Sequence, residues 1–386
     1  INRVKEINTS LKITVLDDML NSAVKCDLLI NSNGLVNVAD YNKNKYKVSH
    51  YLLGNRYSVI SDQFVRLRDE SIRKRKYISE IKTCLVCFGV MDPCGLSLEC
   101  IKSGIDSKFS EIRILLDKDS ECYQQVLHLI KDKPVYKLLP QQKNMADQML
   151  WADVMIGSPG TMSWERASMA LPSIIIPYSK NQYFNAKYLS GNGASILVRP
   201  ESANFYVNIL NAISEIDEKS YQSMAKSNIK LCDGKGVDRI NIAIMRQFFQ
   251  PELRVLKDSD KECIYNWQAE PGARKYFDNI NMPSRHEHEV WFYGLSKEEI
   301  SMFFIIQLGG AKCGFIRLVK SNENYVISIL ISDTAQNIGL AKWALKYMVS
   351  EYPGELMAKI HPGNIASIHA FTASGFHQVM EDTYVA

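Results

Sequence analysis

Residues 144–197 read NMADQMLWADVMIGSPGTMSWERASMALPSIIIPYSKNQYFNAKYLSGNGASIL. Met145, Met149 and Ala152 recur on one helical face, Val154 to Gly157 is a short apolar run, and Ser158-Pro159-Gly160-Thr161 is a small-residue turn into a second helix. Leu171-Pro172 ends that helix, Ser173 to Ile176 reads as a fully buried parallel strand, and Asn181-Gln182 opens another helix. Both loops therefore open on one edge of the sheet, the edge where open α/β folds bind ligands. At the first turn, unpaired N–H groups and the positive end of the helix dipole meet, which suits a phosphate or diphosphate. Glu165, about one turn into that helix, is placed to accept hydroxyl hydrogen bonds from a ribose. Plainer roles exist, Glu165 as a favourable helix-start charge and Asn181 as an N-cap.

Composition sets the bounds. A chain of 386 residues, 46% hydrophobic and 23% charged, is long enough for two or three domains with proper cores. A net charge of +4 selects no class of partner. The one basic run, Arg66 to Lys76 (RLRDESIRKRK), carries acidic residues and reads as a solvated helix face rather than a nucleic-acid patch. Membrane spans need about 18 uninterrupted apolar residues, and neither such a run nor a secretory leader is read here. The nine cysteines are scattered, so a reducing cytoplasm is expected. Cys84 and Cys87 lie inside the apolar run Cys84 to Phe88 and read as buried strand residues, so no metal site is expected.

Along the chain, an opening helical segment leads to a strand Ile13 to Leu16 and Asp17-Asp18. Strands at Cys84 to Phe88, Glu111 to Leu115 and Val135 to Leu138 alternate with helices, which argues for a mostly parallel sheet covered on both faces. Helices over Phe205 to Ala225 and Val237 to Phe249 close this part, and Pro251 marks a boundary.

The series G-S-P-G-T-x-S-W-E, L-P-S, N-Q, with Cys26-Asp27-Leu28-Leu29-Ile30-Asn31, Leu53-Gly54-x-x-Tyr57 and Phe88-Gly89-x-x-Asp92-Pro93 upstream, resembles the UDP-sugar hydrolases of pseudaminic acid biosynthesis. Those enzymes remove UDP from 2,4-diacetamido-2,4,6-trideoxy-β-L-altropyranose and are similar to the MurG glycosyltransferases. The likeness implies a glycosyltransferase-B-type fold in which Ser158, Gly160, Thr161 and Ser163 hold the diphosphate and Glu165 the ribose. It places Asn181 and Gln182 at the sugar end, with Asn181 catalytic. The family's Gly-rich first loop and its His are not matched, so residues 1–78 are expected to be a remnant of an amino-terminal lobe, with a Rossmann-like UDP-sugar lobe over 79–250. Val90 and Met91 stand where the family has a Gly and a small residue, which makes that loop bulkier.

From residue 251 the pattern changes. Phe303 to Gln307, Cys313 to Val319 and Tyr325 to Ser332 read as an antiparallel meander, followed by Gln336-Asn337-Ile338-Gly339-Leu340-Ala341 running into the helix Lys342 to Val349. A strand Leu356 to Ile360 and Asn364-x-x-Ser367-x-x-x-Phe371 complete the series. Gln336 to Ala341 reads as a nest of inward N–H groups in which Gly339 permits close approach of a pyrophosphate. This order resembles the GNAT acetyltransferases, an α+β fold, over residues 251–386. The resemblance implies acetyl-CoA as co-substrate, with Gln336, Asn337, Ile338, Gly339, Leu340 and Ala341 on its pyrophosphate. Ile329, Leu330, Asn364 and Ser367 would lie along the pantetheine arm. Many of these enzymes have a Tyr, the acid for the leaving thiolate, where this chain has Phe371. Trp267 and Arg274, in a W-x-x-x-P-x-x-R pattern, are implied to bind substrate, and His288 or Glu289 to take the amine proton.

The combined expectation is a cytoplasmic bifunctional enzyme that N-acetylates a UDP-linked 4-amino sugar and then hydrolyses UDP from the product. Its partners are the UDP-linked amino sugar and acetyl-CoA, with no nucleic acid and no membrane span. The alternatives are an acetyltransferase with a non-catalytic UDP-binding module, and a MurG-like glycosyltransferase.

Overall fold

The computed structural model describes residues 8, 10–17, 25–43, 47–277, 279–321, 324–352 and 354–386. The opening helical segment, Asp18, and residues 322–323 of the meander's last turn lie outside them. The chain divides into two compact units, Ile1–Val237 and Asp238–Ala386.

In the first unit, strands β1 (Thr14–Leu16), β2 (Lys25–Asn31) and β3 (Lys47–Leu53) form a parallel three-stranded sheet, with helix α1 (Val38–Lys43) between the last two. Helix α2 (Asp62–Lys76) leads to a six-stranded sheet built from β4 (Thr83–Cys87), β5 (Glu111–Leu115), β6 (Tyr136–Leu139), β7 (Val154–Gly157), β8 (Ser173–Ile175) and β9 (Ser195–Leu197). Its order is β6-β5-β4-β7-β8-β9, and every pair is parallel. Helices α3 (Leu96–Lys102), α4 (Tyr123–Ile130), α5 (Met145–Trp151), α6 (Met162–Ser168) and α7 (Gln182–Gly191) make the crossovers. The order reverses direction between β4 and β7, so their carboxyl-end loops, Phe88–Gly95 and Ser158–Thr161, open side by side at a topological switch point. The middle strands are buried throughout, save Thr83 at the start of β4, because helices cover both faces, which is why they read as apolar runs.

Two expectations are corrected. The helix expected over Phe205 to Ala225 is two helices, α8 (Phe205–Ser214) and α9 (Glu218–Leu231). Asp217 breaks the run because its carboxylate accepts the Ser220 N–H at 2.7 Å and caps α9. The basic run in α2 is not simply a solvated face. Arg75 is buried and donates to the carbonyls of Met149 and Ala152, while Lys74 donates to those of Leu150 and Trp151 and pairs with Asp153 at 3.1 Å. These cations satisfy the open carbonyls at the carboxyl end of α5.

Helix α10 (Gly236–Met245) precedes the second unit's mixed sheet, in the order β10 (Pro251–Val255), β11 (Phe303–Leu308), β12 (Ala311–Ser321), β13 (Asn324–Ile331), β14 (Leu356–Lys359), β16 (Thr383–Val385), β15 (His377–Gln378). Pro251, read as a boundary, begins the edge strand β10. Helices α11 (Lys261–Ala269), α12 (Arg285–Tyr293) and α13 (Lys297–Ser301) precede the meander, α14 (Leu340–Glu351) follows β13, and α15 (Ile365–Thr372) follows β14. Leu256, Ile264, Trp267, Phe292, Phe303 and Phe315 form a core cluster on one side of the sheet. Strands β13 and β14 run parallel but pair only at Tyr325–Leu356 and Val326–Met357. Beyond Val326 they part, and among the described residues no strand lies beside the β14-facing edge of Ile327–Ile331.

Candidate functional site

The Ser158–Thr161 turn sits at the end of β7 with its backbone open. The N–H groups of Gly160, Thr161 and Met162 meet no protein acceptor among the described residues, while the next, Ser163, already donates to the Gly160 carbonyl. Gly160 and Thr161 face outward, whereas Ser158 and Ser163 are buried. Arg166, which the sequence reading passed over, explains the inward pair. Its Nη2 donates to the Ser158 carbonyl at 3.0 Å and to the Ser163 hydroxyl at 3.1 Å, so Ser163 braces the turn from beneath. Arg166 is 1% exposed, its Nε and Nη1 have no partner among the described residues, and burial pushes the guanidinium down to about 10. A charge left so poorly matched favours an anion above the turn. Glu165 is half-buried beside it, and burial raises its carboxyl, with the neighbouring Arg166 charge opposing.

The flanking loops are held by side chains of their own. Asp92, at φ 39°, accepts the N–H groups of Leu96 and Ser97 at 3.0 and 2.7 Å, so this motif residue caps α3. Gln182 is buried, and its Oε1 accepts the Tyr178 N–H at 3.0 Å, which makes it a brace of its loop. Asn181 is exposed, with Oδ1 accepting the Ser179 hydroxyl at 2.6 Å. Asn185, one turn on, donates to the Pro159 carbonyl at 3.4 Å and leaves its buried Oδ1 without a partner. The structure thus brings the outward atoms of Gly160, Thr161, Glu165 and Asn181 to one sheet edge and turns Ser158, Ser163 and Gln182 to support.

In the second unit, the loop before α14 is built by two left-handed residues, Asn337 at φ 65° and Gly339 at φ 81°. With the chain turned this way, the N–H groups of Asn337 through Lys342 donate to no protein acceptor among the described residues. Six such donors at the start of a 12-residue helix form an anion nest. Ile338 contributes only backbone, because its side chain is buried. A groove of about 720 Å³ runs from this nest along Ile329 and Leu330 to Asn364 and Ser367. Asn364 Oδ1 accepts the Ser367 N–H at 3.2 Å and caps α15.

A second cavity of about 530 Å³ adjoins it, and both share Tyr276, Ile329, Leu330, Asn364, Ser367 and Phe371 in their walls. His288 lines this second cavity. It is buried among Tyr265, Trp291 and Phe292, and its Nε2 donates to the Lys261 carbonyl at 3.0 Å, which leaves the lone pair on Nδ1. Glu289 lies elsewhere. It is exposed, paired with Lys261 at 2.7 Å and outside both cavities, and that contact lowers its carboxyl. Trp267 is corrected to a core residue, since it is 8% exposed and packs on Phe315. Arg274 does line the cavity, held by Gln268 Oε1 at 2.7 Å and the Asn279 carbonyl at 2.6 Å. Phe371 is buried against Phe376 and offers no proton. Among the described residues no group of three or more His, Cys, Asp or Glu is arranged to hold a metal ion, and no helix is long and apolar enough to cross a membrane.

A parallel sheet open at its switch point, then a mixed sheet with parted strands and an amide nest, define the two modules: a MurG-like Rossmann-type lobe of the glycosyltransferase-B kind and a GNAT fold. Residues 98–239 match the glycosyltransferase family 28 C-terminal domain, and residues 252–377 match the acetyltransferase (GNAT) domain, whose co-substrate is acetyl-CoA. An uncharacterized protein of Methanocaldococcus jannaschii is 23% identical over 84% of this chain and 68% of its own length. The spore coat polysaccharide biosynthesis protein SpsG of Bacillus subtilis is 24% identical over 52% of this chain and 59% of its own. The Clostridioides difficile UDP-N-acetylglucosamine–N-acetylmuramyl-(pentapeptide) pyrophosphoryl-undecaprenol N-acetylglucosamine transferase is 27% identical over 47% of each chain. The chain therefore spans about half the length of the last two relatives.

Proposed function

We propose that the chain N-acetylates an amino sugar linked to UDP, with the family-28-like module holding the nucleotide of the same class of molecule. The observation that carries this reading is the continuity of the two cavities, a cofactor groove that ends where an acceptor cavity begins. Acetyl-CoA lies with its pyrophosphate on the Asn337–Lys342 amides and its arm beside β13, which brings the thioester to the shared wall. The acceptor nitrogen attacks the thioester carbonyl, the C–S bond breaks, and the nitrogen's surplus proton passes to His288 Nδ1. The leaving thiolate takes its proton from Tyr276, a residue that lines both cavities and does the work Phe371 cannot.

In the fuller form of this reading, the first module also releases UDP from the acetylated product, as in pseudaminic acid synthesis. Gly160 and Thr161 would hold the diphosphate, Glu165 the ribose, and Asn181 the sugar end. The unmatched backbone donors and the uncompensated Arg166 favour nucleotide binding there, whichever chemistry follows. Supplying acetyl-CoA with a UDP-linked 4-amino sugar tests both parts. CoA release is the expected outcome of the first, and UDP release into water of the second. CoA release without UDP release leaves a nucleotide-binding module, and UDP release only with an added acceptor makes the module a glycosyltransferase. With no CoA release from any amine, the acetyltransfer reading falls.

A further inference from the structure

Among the described residues the acceptor cavity is lined by three cations, Arg274, Arg317 and Lys359, and by a single carboxylate, Glu287. Glu287 keeps its charge, with Oε2 held by the Ser284 N–H at 2.7 Å in the capping box of α12, so cations still outnumber carboxylates in the described lining. Arg317 rises from β12 into the cavity, and Nε donates to the Ser328 hydroxyl of β13 at 3.0 Å, its only partner among the described residues. That bond fixes the guanidinium and leaves both terminal nitrogens free. The residue is half-buried, and desolvation lowers its pKa with the Glu299 charge opposing, while among the described residues no carboxylate comes within ion-pair distance of it. Arg274 has the same character, with a carbonyl, an amide oxygen and the Phe277 face as partners, and a buried Nε with none among the described residues. Lys359, on β14, is exposed and unpaired among the described residues.

A half-buried cation with idle donors costs stability unless something anionic covers it, and a planar guanidinium matches phosphate oxygens two at a time. The rest of the wall, Trp291, Phe303, Phe315 and Tyr276 among it, is aromatic and suits the faces of a sugar ring. We infer that Arg317, fixed by Ser328, and Arg274 form a phosphate-recognition subsite in the acceptor cavity, so that the amine acetylated must carry a phosphate or diphosphate. This rests on the acetyltransfer reading and deepens it. Cationic acceptors such as polyamines are disfavoured by the same three charges.

The test compares one 4-amino sugar as its UDP-linked form, its 1-phosphate and the free sugar, with spermidine beside them, by CoA release. The expected kcat/KM falls roughly ten- to a hundredfold when the phosphates are removed, the range for losing charge-assisted hydrogen bonds. Arg317→Met and Arg274→Met are expected to collapse the ratio between phosphorylated and free sugar, and Arg317→Lys to restore part of it. Acetyl-CoA binding, measured by calorimetry on each variant, shows that the fold is intact. A ratio unchanged in all the variants overturns the subsite, as does spermidine used as well as the UDP-linked sugar or no acetylation of any phosphorylated acceptor despite acetyl-CoA binding. Absence of acetyl-CoA binding in the unaltered chain instead defeats the acetyltransfer reading itself.

Discussion

Arg166 and Gly157 show how tightly the sheet edge at the Ser158–Thr161 turn is built. A Cβ at Gly157 would stand 2.4 Å from the Cys87 carbonyl oxygen and 3.1 Å from Arg166 Nη1, and the first of these is main chain that cannot swing aside. Gly157→Ala is therefore expected to cost about 1–3 kcal/mol in urea unfolding of the first unit. Glu165 makes a prediction in pH. Its carboxyl is raised by burial, and only the ionised form accepts two ribose hydroxyls, so UDP affinity should fall with acidification at a higher pH than an ordinary glutamate would give. Calorimetry across pH checks the sign, and Glu165→Gln should bind weakly with that pH step gone. In the second unit, Tyr276→Phe should lower kcat for acetyl transfer about a hundredfold, the size of a lost general acid, with the KM for acetyl-CoA little changed. Neither Arg166 nor Tyr276 could be found by pattern. Arg166 looks like any helix charge until the Ser158 carbonyl is seen above it, and Tyr276 comes from a segment far along the chain from Phe371.

At the scale of elements, the acetyltransferase unit is pinned by Asp260. Its fully buried carboxylate is held by Arg254 at 2.9 Å from β10, Lys312 at 2.7 Å from β12 and the Lys257 N–H at 2.8 Å. Burial alone would raise its pKa, but the bonds from Arg254 and Lys312 outweigh it and bring it to about 2. Against an unfolded value of about 3.9, this stabilisation is complete above about pH 4 and is lost as pH falls toward 2. Asp260→Asn should cost about 3–5 kcal/mol at neutral pH, because it leaves two cations without their counter-charge. Thermal unfolding at pH 7 and pH 3 checks both statements, the difference between variant and parent shrinking at the lower pH. Most strands were legible as apolar runs ended by a turn residue, but Lys25–Asn31, Lys47–Leu53, Ser195–Leu197 and Pro251–Val255 were not read as strands, the second and last because polar residues break their apolar pattern. The short closing strands Thr383–Val385 and His377–Gln378 were not, for two or three residues carry no period. The break at Asp217 was missed for a related reason: the apolar period continues through it, and only the cap reveals the stop.

The whole chain joins two modules that each present open backbone amides to an anion, and each module should be stabilised by its own ligand. Binding at about a hundred times Kd is worth about 2.7 kcal/mol. Hydrogen exchange should therefore show UDP protecting residues within Ile1–Val237 and acetyl-CoA protecting residues within Asp238–Ala386, and protection in the opposite units would overturn the assignment. What the sequence by itself determined is the kind of chain: a parallel β/α module, then a mixed-sheet module, with a small-residue turn and a Gln336–Ala341 loop at strand-to-helix junctions. Those features are local, written in hydrophobic period and in residues that tolerate left-handed backbone. Only the tertiary structure decided which polar side chains face a ligand and which brace the loops, turning Ser163 and Gln182 inward, Glu289 away and Trp267 into the core. It also decided that Arg317 and Tyr276 share one cavity with His288. Facing depends on what packs behind a side chain, and neighbours distant in sequence meet only when the sheet and its helices close.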